Sequence, residues 1–209
     1  MRQLKWQNGA SLTELLIGMA LGTAALASMA SLVGYGIGVN ANLLNSSRLN
    51  EEASSIFLLI EREVRRAGFS GDTINMLQDP AANPSPFANS ITVSAFPGED
   101  PNSCILFRYD ANNNGVFDGG NNGENFGFRL REDQVEMRVG DLDCEALGWI
   151  ALSDIDVVSI QSLSFMPVQS INGGVPTTSI NTLMEAEILS DEKVSRRFES
   201  QTLVRNYDG

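Results

Sequence analysis

The sequence predicts an α+β protein: one long N-terminal helix whose second half packs on an antiparallel β-sheet domain. Three observations lead there. Residues 10–39 are apolar or small, with one charged side chain, Glu14. Residues 49–67 repeat apolar side chains at spacings of three and four. From residue 90 onward, short runs of β-branched and aromatic residues alternate with stretches rich in Gly, Pro and Asn.

At ~1.5 Å per residue the first run is ~45 Å long, enough to cross a ~30 Å hydrocarbon core. Arg2 and Lys5 precede it with no acid beside them. Positive flanks stay on the cytoplasmic side, so the N-terminus stays in and the rest goes out. A carboxylate at bilayer depth costs roughly 2.5 kcal/mol or more, so Glu14 requires a partner or a task. An ordinary secretory signal carries its cleavage site after a short apolar core. Here the Gly9–Ala10 bond lies before the core. A cut at that bond would retain the helix and set the new amine of Ala10 near Glu14. The alternative is a plain membrane anchor with an accidental Glu.

The second half of the helix follows without a strong break. Leu49, Ala53, Ile56, Phe57, Ile60, Val64 and Ala67 form one stripe. Arg48, Glu51, Glu52, Glu61, Arg62 and Arg65 lie largely off it, with Glu61 and Arg65 spaced as an i,i+4 pair. Gly68 suits the residue just past a helix end. The helix is therefore expected from about Ala10 to Ala67. Gly34, Gly36 and Gly38 lie inside it, each costing roughly 1 kcal/mol relative to Ala. They mark either a point that unwinds or bends, or a place of close packing. Gly18 and Gly22 form a small-xxx-small face.

After Gly68, residues 70–90 read as a loop containing Pro80, Pro84 and Pro86. Strands are expected at Ser90–Phe96, Cys104–Tyr109, Phe126–Leu130, Gln134–Val139 and Val157–Pro167. A closing hairpin is expected from Leu183–Leu189 and Ser195–Arg205, turning through Ser190, Asp191, Glu192 and Lys193. Its first strand sets Met184, Ala186 and Ile188 on an apolar face and Leu183, Glu185, Glu187 and Leu189 on the other.

The 209 residues carry a formal charge of −12 and no His. An acidic chain argues against nucleic acid as a partner. Without His, the commonest general base and transition-metal ligand are missing. No G-x-S-x-G occurs, and the close acids Asp141, Asp143, Asp154 and Asp156 read as a solvated face, so the chain is taken as non-enzymatic. Cys104 and Cys144 both lie beyond the membrane segment. In an oxidising compartment they would pair, closing a loop worth on the order of 4 kcal/mol. The alternative is two buried free thiols. Asp110, Asn112, Asn114, Val116 and Asp118 match the front of a calcium loop, at offsets 1, 3, 5, 7 and 9 with Gly115 at 6. The Glu expected at offset 12 is replaced by Asn121, and Glu124 could reach in from further along. The alternative is a Gly- and Asn-rich turn, so calcium is a possible cofactor and no other is indicated.

The segment Gly9-Ala10-Ser11-Leu12-Thr13-Glu14-Leu15-Leu16-Ile17-Gly18-Met19 resembles the processing signal of type IV prepilins and type II secretion pseudopilins. Arg48–Glu52, Glu61–Phe69, Glu124–Leu130 and Leu203–Asn206 resemble PilW-type minor pilins. The resemblance implies a pilin-like fold. It also implies cleavage by a prepilin peptidase after Gly9, N-methylation of Ala10, and an assembly role for Glu14 through the amine of a neighbouring subunit. Two departures stand out: Ala10 replaces the family's usual Phe, and the membrane helix lacks the Pro of major pilins, its place here being Ser31. The expected organisation is a leader (1–9), an assembly helix (10–39), its amphipathic continuation (40–69) and a β-rich domain (70–209). The implied function is that of a minor pilin that primes or tips a type IV pilus. A J-type pseudopilin and a membrane-anchored calcium-binding or adhesive domain are the alternatives. The implied partners are other minor and major pilins, the prepilin peptidase, an inner-membrane assembly platform and the membrane itself. The implied location is the bacterial inner membrane with the domain periplasmic, then the pilus at the cell surface.

Overall fold

A computed structural model of the chain describes residues 11–79, 81–120, 123–138, 140–172 and 175–204. The element order is helix α1 (Leu12–Val64), helix α2 (Thr73–Gln78), then strands β1 (Thr92–Ser94), β2 (Cys104–Arg108), β3 (Asn125–Arg131), β4 (Gln134–Met137), β5 (Ile150–Ala151), β6 (Val158–Asn172), β7 (Val175–Ile188) and β8 (Asp191–Val204). This is a long N-terminal helix packed on antiparallel β-structure. The chain divides into two compact units, one ending at Leu44 and one beginning at Asn45.

In the first unit α1 is continuous through Gly34, Gly36 and Gly38, and its side chains are exposed throughout. Among the described residues, α1 is the helix long and apolar enough to cross a membrane.

In the second unit the expected stripe is the buried face of α1. Leu49, Ala53, Ile60 and Val64 are fully buried, and Ile56 and Phe57 nearly so. Regular helix ends at Val64, three residues earlier than expected. Tight i→i+3 hydrogen bonds, Arg66 N–H to Glu63 O and Ala67 N–H to Val64 O, carry the chain on to Gly68. Gly68 has φ of 79° and donates its N–H to Arg108 O, which ties the helix end to β2. A side chain here would be forced into the left-handed region. Glu61 and Arg65 form no ion pair. Glu63 instead takes Arg62 at 2.9 Å and Arg66 at 3.6 Å. The 70–90 segment, expected as a loop, contains α2.

The β-structure is two sheets rather than one. The first is an antiparallel meander ordered β1-β2-β3-β4-β5, and the second is ordered β6-β7-β8. They meet through turns: Ile160 N–H donates to Asp133 O and Phe165 N–H to Asn102 O. β6 and β7 run well beyond the expected Val157–Pro167 and Leu183–Leu189. Pro167 marks an end in the sequence but does not stop the strand. Phe165 directs its N–H away from β7, so Pro167, two residues on, also faces outward and forfeits no ladder bond. The start of β7 is rich in Thr and Ser, yet Thr178, Ile180 and Thr182 are buried alongside Met184, Ala186 and Ile188. The hairpin turns at Leu189 and Ser190 rather than through Ser190–Lys193, because Ile188 pairs with Asp191 and the register then slips to Glu187 opposite Ser195. β5 has no counterpart in the expected strands, being two residues long.

Candidate functional site

At the start of α1, Glu14 turns back on its own helix. Its Oε2 accepts a hydrogen bond from Ser11 N–H at 3.0 Å, and Ser11 Oγ lies 2.8 Å from Thr13 Oγ1. Ser11-x-x-Glu14 is the spacing of a capping box, in which the carboxylate satisfies an amide left orphaned at the helix start. That signal was present in the sequence and was missed beside the isolated charge. Gly9 and Ala10, expected at the cleavage and methylation site, lie outside the described residues.

A second constellation lies on the first sheet. Ser94, Cys104, Arg129, Glu136 and Ala151 stand opposite one another across the strands, so their side chains share one face. The opposite face carries the core residues Ile105 and Phe128. Cys104 is bonded to Cys144, with an S–S distance of 2.02 Å. Beside it, Arg129 is fully buried. Its Nε donates to Glu136 Oε2 at 2.6 Å, and its Nη1 donates to the carbonyls of Cys144 and Ala146, both at 2.7 Å. The guanidinium lies 4.5 Å from the ring of Trp149 and 4.9 Å from that of Phe96, and Arg131 approaches Phe96 at the same distance. Trp149 Nε1 donates to Asp143 O, and Asp143 accepts from the N–H groups of Glu145 and Ala146. The segment from Asp143 to Trp149 is thus held by covalent, ionic and aromatic contacts together. Arg129 alternates with Phe128 and Leu130, so strand periodicity alone carries no sign that its side chain is buried.

The expected calcium loop closes on its carboxylates. Asp110 is buried and accepts four backbone N–H groups: Asn113 and Asn114 on Oδ1, Gly71 and Gly115 on Oδ2. Burial pushes its carboxyl up, but these hydrogen bonds outweigh it and hold the pKa below the ordinary value. Glu124, also buried, accepts from Ala111 N–H and Asp118 N–H. Asp118 Oδ2 takes the side-chain amides of Asn112 and Asn114. Asn114 Oδ1 accepts from Val116 N–H. The expected residues are therefore brought together, with their carboxylates turned to N–H donors. Among the described residues no group of three or more His, Cys, Asp or Glu side chains is placed to hold a metal. Gly115 has φ of 75°, and an added Cβ would lie 2.5 Å from Asp72 Cβ, so the loop needs glycine there. Asp141, Asp143, Asp154 and Asp156 are exposed, as a solvated group of acids should be, but they lie outside the strands. Asp141 accepts from Gly120 N–H and from the Asn125 side-chain amide, and Asp154 accepts from Asp156 N–H.

The end of α1 is pinned to the same region. Tyr109 Oη donates to Glu63 Oε2 at 2.6 Å, with Arg66 over its ring. Burial and the neighbouring carboxylate raise the phenol pKa. The family profile of prepilin peptidase-dependent protein B matches residues 42–204. The chain belongs to that family. The prepilin peptidase-dependent protein B of Escherichia coli (strain K12) is 30% identical over 80 residues, which is 37% of this chain and 42% of that protein. No solved structure matches. The part that matches the prepilin peptidase-dependent protein B profile includes the Asp110 loop, Arg129 and the Cys104–Cys144 bond. Glu14 lies before it. The N-terminal signal and the family match are thus separate observations, made on different parts of the chain.

Proposed function

We propose that this protein is a minor pilin of a type IV pilus, a non-enzymatic subunit that primes or tips the filament. A prepilin peptidase cuts after Gly9 and methylates Ala10. The domain lies in the periplasm while α1 spans the inner membrane, and the helix then leaves the bilayer for the filament core. Its partners are the peptidase, the assembly platform and other minor and major pilins. Glu14 docks the helix through the amine of a neighbouring subunit. The observation that carries this reading is the exposed apolar stretch of α1, opened by Glu14, on a domain of the prepilin peptidase-dependent family.

Mass spectrometry of sheared filaments tests it. The chain should be recovered there, shortened by its first nine residues and carrying one methyl group on the new N-terminus. Full-length chain alone, in cells with active peptidase, would overturn the reading. Recovery with a secretion apparatus in place of a pilus would favour the J-type pseudopilin.

A further inference from the structure

We propose that the uncharged half of the outer face of the second sheet is a contact surface for a second copy of this chain. The inference goes beyond the pilus reading and does not depend on it.

Strand register divides the residues of β6, β7 and β8 between two faces. Leu163, Phe165, Ile180 and Met184 lie on the inner face and are buried. Phe198 shares the row of Leu163 and Met184, and its ring centroid lies 5.5 Å from that of Phe57 on α1. The inner face is therefore the one that meets the helix, and the outer face is turned away from it.

The outer face has two halves of different chemistry. One half carries Glu185, Glu187, Arg197 and Glu199, and its charges are largely matched within the chain. Arg197 lies 3.1 Å from Glu185 and 3.6 Å from Glu199, and Gln161 Nε2 donates to Glu187 Oε1. The other half is built from the rows Met166–Asn181–Gln201 and Val168–Ser179–Leu203, with Ser170 opposite Thr177 beyond them. No side chain of these rows is ionisable, in a chain with 26 acids and 14 bases. Met166, Val168 and Leu203 stand exposed on it, at 48%, 37% and 53%. Hydroxyls and amides between them bond one another: Gln201 Nε2 donates to Ser179 Oγ, and Ser170 Oγ lies 2.7 Å from Thr177 Oγ1. A single exposed apolar residue carries no message. Three of them grouped on a flat face from which charge is excluded have the composition of an interface centre.

The charge of the chain selects the partner. At −12, two copies that meet through acidic surface oppose like charges. On this half of the sheet they meet without that repulsion. A neutral apolar face is also its own complement, as a contact between identical patches requires.

The anchored helices allow the contact. Two copies stack outer face to outer face about a twofold axis lying between the sheets and in their plane. α1 lies on the far side of each sheet, so an axis running along α1 leaves both helices pointing the same way, into one membrane. Membrane helices tilt by up to about 40°, which gives the axis room. Stacked sheets sit about 10 Å apart with their side chains interleaved. The patch is smaller than the roughly 20–30 residues a side of a standard interface, so the contact is weak and relies on both copies being confined to one membrane.

The test uses the full chain in membranes, in two differently tagged copies. Asn181→Cys in both places a thiol at the middle of the patch, where it faces its own counterpart. A bismaleimide with a reach of about 10 Å should give a mixed-tag dimer. Ser195→Cys lies on the same face about 20 Å along the sheet, and should give little. Leu203→Lys in both Asn181→Cys copies should lower the yield about tenfold, and Leu203→Glu in both should do the same. Leu203→Lys in one with Leu203→Glu in the other should restore it, which a folding defect would not. Formation of the Cys104–Cys144 bond reports folding in every variant. Absence of the mixed-tag dimer from folded Asn181→Cys chains would overturn the proposal. So would equal yields from Ser195→Cys and Asn181→Cys, or a yield indifferent to the charges at Leu203.

Discussion

Arg129 Nε donates to Glu136 Oε2 at 2.6 Å across two neighbouring strands, one step from the row position that carries Cys104. Removing one partner of a buried ion pair leaves an uncompensated charge and costs about 3–5 kcal/mol. Glu136 keeps 12% side-chain exposure, so Arg129→Met should fall near the lower figure. Arg129→Lys should lose most of that too, because an ammonium cannot serve a carboxylate and two carbonyls in one plane. Glu136→Gln keeps an acceptor but leaves the fully buried Arg129 charge without its counter-ion, and should also cost about 3 kcal/mol. Urea unfolding followed by far-UV circular dichroism measures the three variants.

The disulfide spans 40 residues, so its loss should destabilise the chain by on the order of 4 kcal/mol. The Asp143–Trp149 segment should nonetheless keep its place. Arg129 grips two of its carbonyls and Trp149 bonds Asp143 O without help from the cystine. In Cys104→Ser/Cys144→Ser, amide exchange of this segment should rise only as far as global unfolding rises. Selective opening of residues 143–149 at constant global stability would contradict this.

Asp110 gives the stability an acid limb. Its folded pKa lies below the unfolded value of about 3.9, so its contribution is complete above that value. The contribution is lost as pH falls through the folded pKa. Asp110→Asn places an NH2 against backbone donors and should cost about 2 kcal/mol at neutral pH. The gap between parent and variant should narrow as pH falls below the unfolded value of about 3.9, measured as unfolding midpoints across a pH series.

Glu14→Gln and Glu14→Ala separate the two tasks of that side chain. Gln retains an acceptor for Ser11 N–H, while Ala removes it; Gln is accepted at this place in a capping box. Backbone exchange at the first turn of α1 should therefore rise in Glu14→Ala and change little in Glu14→Gln. Both lack the charge, so both should insert and be cut normally yet be depleted from sheared filaments. Normal filament recovery for both would remove the docking role.

The helix was legible because its signals are local. Leu49 to Ala67 recur at helical spacing, and all seven positions of the stripe are buried. The β-structure was legible where one face is apolar, as in Met184, Ala186 and Ile188. It was hidden where buried positions are Thr, as at Thr178 and Thr182, or where Pro167 falls on an edge. The acidic loop was visible as a spacing of oxygens, but what those oxygens bond depends on Gly71, which lies 39 residues before Asp110. The Arg129 cluster needs strand register, because only pairing brings Phe96, Arg129, Glu136 and Trp149 together.

An added Cβ at Gly18, Gly22, Gly34, Gly36 or Gly38 would meet nothing within 4 Å in this chain. Alanine at those positions therefore disturbs no contact of the isolated molecule and favours its helix. A scan of the five turns the helix into a contact print: whichever alanine does harm in the cell marks where the atoms of another molecule come close.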